Sequence, residues 1–136
     1  MNATAVWRGE ERFEVQSEGH KVVLDGSSEH TAGPSPMQMV LGALCACTSV
    51  DVVSILRKKR EPLEGLTVSA TADQAPAPPR VFTRVHLTYR IRGGVAKKAA
   101  EDAISLSKNK YCSVSMMLEK VATIDYSIDY SIEYEL

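Results

Sequence analysis

Three cysteines hold the most reactive chemistry in this 136-residue chain. Cys45 and Cys47 lie in "LGALCACTSVDVVSIL" (41–56), and Cys112 lies far downstream in "KNKYCSVSMMLEK" (108–120). Free thiols of this kind pack as small hydrophobes, ligate a metal ion, or react as nucleophiles. On one helix, positions 45 and 47 project about 200° apart. They therefore cannot ligate one ion together or bond to each other, and the Cys-x-Cys spelling is not a metal signal. His20, His30 and His86 are scattered without the paired spacing of zinc ligands, so no metal site is expected. Cys112 has a different setting. It stands at the start of a short helical stretch, with itself or Ser113 as N-cap, behind Lys108 and Lys110. Amide dipoles and basic charge there predict a thiol that ionises readily.

The remaining candidates are weaker. A Cys–His hydrolase needs a histidine beside a thiol. His86 alternates with Arg84, Arg90 and Arg92, which reads as a solvated strand face, while His20 and His30 flank the loop before the first helix. Asp51 is one turn beyond Cys47 on the same helical face and would raise a neighbouring thiol's pKa unless it is paired. "RGGV" lacks the rest of a phosphate-binding fingerprint.

The elements that must position these groups follow from pattern. Val6-Trp7, "RFEVQ" (with Phe13 and Val15 inward) and "KVVLDG" read as three short strands, and "DGSSEHTAGPSP" (25–36) as a loop. Ser35, Pro36 and Gln38 spell a capping box with proline at the first helical position; Arg57 to Arg60 and Pro62 mark the end of the helix. From Met37 to Cys47 this helix is apolar on nearly every face, which predicts a central element buried all round. Strands are expected at 66–72 and 81–92, the latter with Val81, Val85, Leu87, Tyr89 and Ile91 on one face. Helical spacing runs through Ala99, Ala103 and Leu106 over 95–109, and a short second helix follows from Cys112. The tail "TIDYSIDYSIEYEL" alternates strictly with period two and predicts a long strand of about 40 Å. More apolar surface than one small chain can enclose, in the helix and tail together, points to an obligate dimer.

Composition sets the class. The length fits one domain over 1–136, with 44% hydrophobic and 24% charged residues. A net charge of −1 gives no reason to expect nucleic acid or an anionic membrane as partner. An odd number of irregularly spaced cysteines fits a reducing, cytoplasmic setting. The amino terminus has no apolar signal region, and Thr48, Ser49 and Asp51 interrupt the longest apolar run, so no membrane span is expected.

Together "SPMQMVLGALCAC", "DVVSIL" and "KYCSVSMMLEK" resemble the OsmC/Ohr superfamily of osmotically inducible and organic-hydroperoxide-resistance proteins, most closely its YhfA-like branch. The likeness covers essentially the whole chain. It implies an α+β fold, with antiparallel sheets around a long buried central helix, in an intertwined homodimer. It also implies thiol peroxidase chemistry without a cofactor: Cys47 reduces an organic hydroperoxide and Cys112, in the turn Cys112-Ser113-Val114-Ser115, resolves it, with a dithiol, lipoyl-type reductant. Cys45 falls where relatives carry a small residue and is expected to pack. The substrate is expected beside Cys47, against Gln38, Val40, Leu44 and Val50. Two departures stand out. No Arg lies between His20 and Pro34, and Gln38 occupies the position of the family's activating carboxylate. An apolar-ligand-binding module and a thiol-dependent hydrolase are the alternative functions.

Overall fold

A computed structural model of the protein describes residues 1–130. Contacts along the chain group it into two compact units, Met1–Gly42 and a second beginning at Ala43.

The first unit is a meander of β1 (Thr4–Trp7), β2 (Arg12–Ser17) and β3 (His20–Asp25), paired antiparallel in that order. Ser17 pairs with His20, which leaves Glu18 and Gly19 as a two-residue turn, both at positive φ (49° and 86°). That is the primed turn whose twist matches the strands it joins. Phe13 is 38% exposed, and Val15 is half-buried. Asp25 closes β3 and organises the loop behind it, its carboxylate accepting from the Ser27 (2.9 Å) and Ala32 (3.1 Å) amides. Hydrogen bonds from Ser27, joined by the Ala32 amide, hold its pKa at about 2.

The capping box forms as spelled. The Gln38 amide donates to Ser35 Oγ (3.1 Å), and the Ser35 amide donates to Gln38 Oε1 (2.9 Å). From there α1 (Pro36–Lys58) runs 23 residues. Its exit is a Schellman motif: Arg60 donates to the Arg57 carbonyl and Glu61 to that of Leu56, with Arg60 at φ 58° where glycine is usual.

Burial of α1 is narrower than expected. Within this chain only Leu44, Thr48, Val52 and Leu56, four residues apart, are fully covered, while Val50 is 69% exposed. The helix also meets the length and hydropathy of a membrane span, with a mean hydropathy of 2.1 over its most apolar window, contrary to the sequence expectation. Thr48, Ser49 and Asp51 dilute the apolar run without ending it. One packed stripe, from Leu44 to Leu56, runs along it.

In the second unit β4 (Leu63–Gln74), β5 (Phe82–Gly93) and β6 (Thr123–Asp129) form one sheet in that order. β4 and β5 pair antiparallel; β5 and β6 pair parallel, from Arg84 opposite Thr123 to Arg90 opposite Asp129. The parallel pairing corrects the all-antiparallel expectation. A helical crossover separates β5 from β6, and a crossover returns the chain in the same direction. Val85, Leu87, Tyr89 and Ile91 are buried as the alternation predicted, whereas Val81 precedes the strand and is 42% exposed, and Phe82 is buried in its place. On the other face Asp125 accepts from His86 and Arg84, and these bonds, His86 first, lower its pKa.

The crossover holds α2 (Lys97–Leu106), a π turn (Ser107–Tyr111) and α3 (Ser113–Leu118). Ala99, Ala100, Ala103 and Ile104 are the buried side of α2, and Leu106, expected inward, is 38% exposed. Beyond Asp129, residues 131–136 of the expected tail strand lie outside the described residues.

Candidate redox thiol site

Cys112 closes the π turn and caps α3. Its amide donates to the Ser107 carbonyl (2.8 Å), and its Sγ accepts from the Ser115 amide (3.4 Å). The N-cap reading of the sequence is therefore met, but its electrostatic corollary is not. Cys112 is fully buried, and its pKa is pushed up to about 11. Loss of water is the main cause; the amide bond works the other way, and the Cys47 thiol and the Asp51 charge push it further up. Lys108 and Lys110 do not reverse this, and Lys110 extends over the Tyr111 ring instead (5.3 Å). Burial outweighs a short helix's dipole here.

Cys47, half-buried on α1, is thus an immediate neighbour of Cys112, and the two thiols interact directly. Cys45 is also half-buried, but it lies on another side of the helix, with its carbonyl accepting from Ser49 Oγ (2.6 Å) and burial raising its thiol pKa. All three cysteines are free. Among the described residues no cluster of His, Cys, Asp and Glu is arranged to hold a metal ion.

Beside the thiols runs a chain of hydroxyl groups. Asp51 Oδ2 accepts from Ser107 Oγ (2.8 Å), Ser107 Oγ bonds Thr48 Oγ1 (2.8 Å), and Thr48 Oγ1 bonds the Tyr89 hydroxyl (2.7 Å). Burial lifts the Tyr89 pKa to about 12. Thr48, Tyr89 and Ser107 were not singled out from the sequence. The available signal was Thr48, a polar residue midway between Leu44 and Val52 on the helix's most buried line.

The residues expected to contact substrate fall in both units. Val50 lies on the lip of an open groove with Ser49, Val53, Ser54, Arg57 and Lys58. Leu44 has no exposed surface and lies in the core, on the Thr48–Val52 line. Gln38 spends its side-chain oxygen on the Ser35 cap, and Val40 is half-buried in the first unit's share of α1. His86 is held by Asp125 and Ser127 on the sheet's polar face, and His30 bonds the Asp25 carbonyl (3.1 Å).

Two three-stranded sheets, a long helix bearing Cys45 and Cys47 and a crossover bearing Cys112 make this an α+β protein. Residues 26–127 match the OsmC-like protein family, and the chain belongs to it. Protein YhfA of Escherichia coli (strain K12) is 44% identical over 110 residues, covering 80% of this chain and 81% of that protein. The fold is shared with an OsmC-like protein from Mycoplasma pneumoniae (TM-score 0.81, 18% identity, 95% and 96% of the two chains). It is also shared with an organic hydroperoxide resistance protein OsmC from Legionella pneumophila (TM-score 0.72, 18% identity, 95% and 96%).

Proposed function

We propose that this protein is a cytoplasmic, cysteine-based peroxidase that reduces organic hydroperoxides through a Cys47–Cys112 pair. The observation that carries this reading is the asymmetry of two neighbouring thiols: Cys47 is partly accessible, while Cys112 is buried and kept protonated. A partly accessible thiol suits attack on an external oxidant; a buried one suits attack on its oxidised neighbour. Cys47 thiolate takes the terminal oxygen of the hydroperoxide, becoming a sulfenic acid, and the alcohol leaves after taking up a proton. Cys112 then displaces water to form the disulfide, and a dithiol of the lipoyl type reduces the bridge. Val50 and Val53, which follow Cys47 along α1 and line an open groove, supply an apolar lip for the organic part of the substrate.

Exposing reduced protein to one equivalent of cumene hydroperoxide, or of hydrogen peroxide, tests this directly. The expected result is rapid loss of two thiols per chain, faster with the organic oxidant. Inert thiols, above all with a copurified apolar ligand, would instead favour a binding module.

The working form is proposed to be a homodimer. Only 22% of the apolar window of α1 is buried within the chain, and Val50 is left outward. A second copy covering that face would remove apolar surface from water at about 25 cal/mol per Å². Sedimentation at micromolar concentration should give twice the 14.9 kDa chain mass; a stable, folded monomer would count decisively against it.

A further inference from the structure

We propose that the Asp51 carboxylate, held by Ser107, is the proton acceptor that lets Cys112 close the disulfide on oxidised Cys47. This rests on the reading of Cys47 and Cys112 as the reacting pair.

The hydroxyl chain gives the direction. Ser107 donates its single hydroxyl hydrogen to Asp51, so its bond with Thr48 must be donated by Thr48. Thr48, having spent its hydrogen, must accept from Tyr89. Three buried donors thus point in series toward one carboxylate, each polarising the next. The carboxylate fixes this direction, because its oxygen can only accept from Ser107. Ser107 serves both ends of the site. Its hydroxyl orients Asp51, and its carbonyl accepts the Cys112 amide, so proton acceptor and thiol are set by one residue. Asp51 is near enough to Cys112 for its charge to act on the thiol, and it sits one turn beyond Cys47.

A buried thiol that holds its proton needs a base at the moment of attack. The Cys112 proton passes to Asp51 as sulfur attacks sulfur. The S–S bond forms, the Cys47 S–O bond breaks, and the departing hydroxide takes the proton from Asp51 as water. The Cys112 sulfur is oxidised and the Cys47 sulfur reduced, with no other reactant. The other ionisable groups facing this centre are Lys58, Lys59 and Tyr111, which share with Asp51 a cavity of about 400 Å³, and Tyr89 at the far end of the chain. Lys59 is occupied by Asp102 (3.6 Å), and Tyr89 does not titrate near neutrality.

The test is single-turnover closure after one equivalent of cumene hydroperoxide, from pH 6 to 9, with sulfenic acid and disulfide resolved by mass spectrometry. Asp51→Asn keeps the shape and an acceptor for Ser107. It should slow closure by about 100-fold, make closure rise with pH where the wild type is flat, and accumulate sulfenic acid. Asp51→Glu should recover most of the rate. Closure by Asp51→Asn at the wild-type rate and pH profile would overturn the proposal. If wild-type protein ignores hydroperoxide, the peroxidase reading fails by itself. Closure driven by diamide then decides the role of Asp51: slowing in Asp51→Asn supports it, and an unchanged rate overturns it.

Discussion

Cys47→Ser is expected to lower hydroperoxide consumption by at least about 1,000-fold, since an alcohol in that place is no nucleophile at neutral pH. Cys112→Ser is expected to fail differently. Its Cys47 reacts once, finds no partner thiol, and proceeds from sulfenic to sulfinic acid as oxidant is added. The distinction follows from burial, because Cys112 has no exposed surface from which to meet the oxidant first. Cys45→Ser should leave turnover within a few-fold, its thiol lying on another side of α1. Peptide mapping after one equivalent of hydroperoxide should find a Cys47–Cys112 bridge. A bridge to Cys45, or an active Cys47→Ser protein, would reverse the assignment.

Gly93→Ala should cost about 3 kcal/mol or more, a large part of a small domain's stability. Gly93 sits at φ 115°, outside even the left-handed helical region that other residues occasionally adopt. A Cβ there would lie 2.2 Å from the Pro62 carbonyl oxygen and 2.9 Å from the Glu64 amide nitrogen. Both are backbone atoms, held where Leu63 pairs with Gly93 beside an irregularity in the ladder, so neither can turn aside as a flexible side chain would. Gly94→Ala is the control. Its nearest obstacle, Pro62 Cγ at 3.6 Å, is ordinary contact, and the loss should stay below about 1 kcal/mol. Urea unfolding of both variants measures the difference, and a Gly93→Ala midpoint equal to that of Gly94→Ala would contradict the argument.

What could be read from the sequence was what depends on neighbours in the chain. The Ser35–Gln38 box, the alternation of β5 from Val85 to Ile91 and a cap at Cys112 or Ser113 need only a few consecutive residues; the box and the alternation form as spelled, and the cap falls on Cys112. What could not be read depends on distant partners. The Thr48–Ser107 bond joins positions 59 apart, and nothing local to either announces the other. Burial of Cys112 is likewise a tertiary fact, and it reversed the sign of an electrostatic argument that was correct for an exposed helix start. The parallel direction of β6 follows from the path of the crossover rather than from the strand's own alternation.

The π turn has a consequence for how this site tolerates change. Along α2 the buried line passes through Ala99, Ala103 and Ser107, and an unbroken α-helix would bring Tyr111 next. The wider turn holds one more residue, so Cys112 arrives in that place, its amide beneath the Ser107 carbonyl, and Tyr111 is left 51% exposed. The extra residue is thereby silent on the inside and additive on the outside. Inward, the thiol keeps the phase of the helix that carries it; outward, Asn109, Lys110 and Tyr111 are exposed, with Tyr111 on the wall of the cavity that Asp51 shares. Those outer positions can therefore be rewritten, residue by residue, while the spacing between Ser107 and Cys112 stays in step.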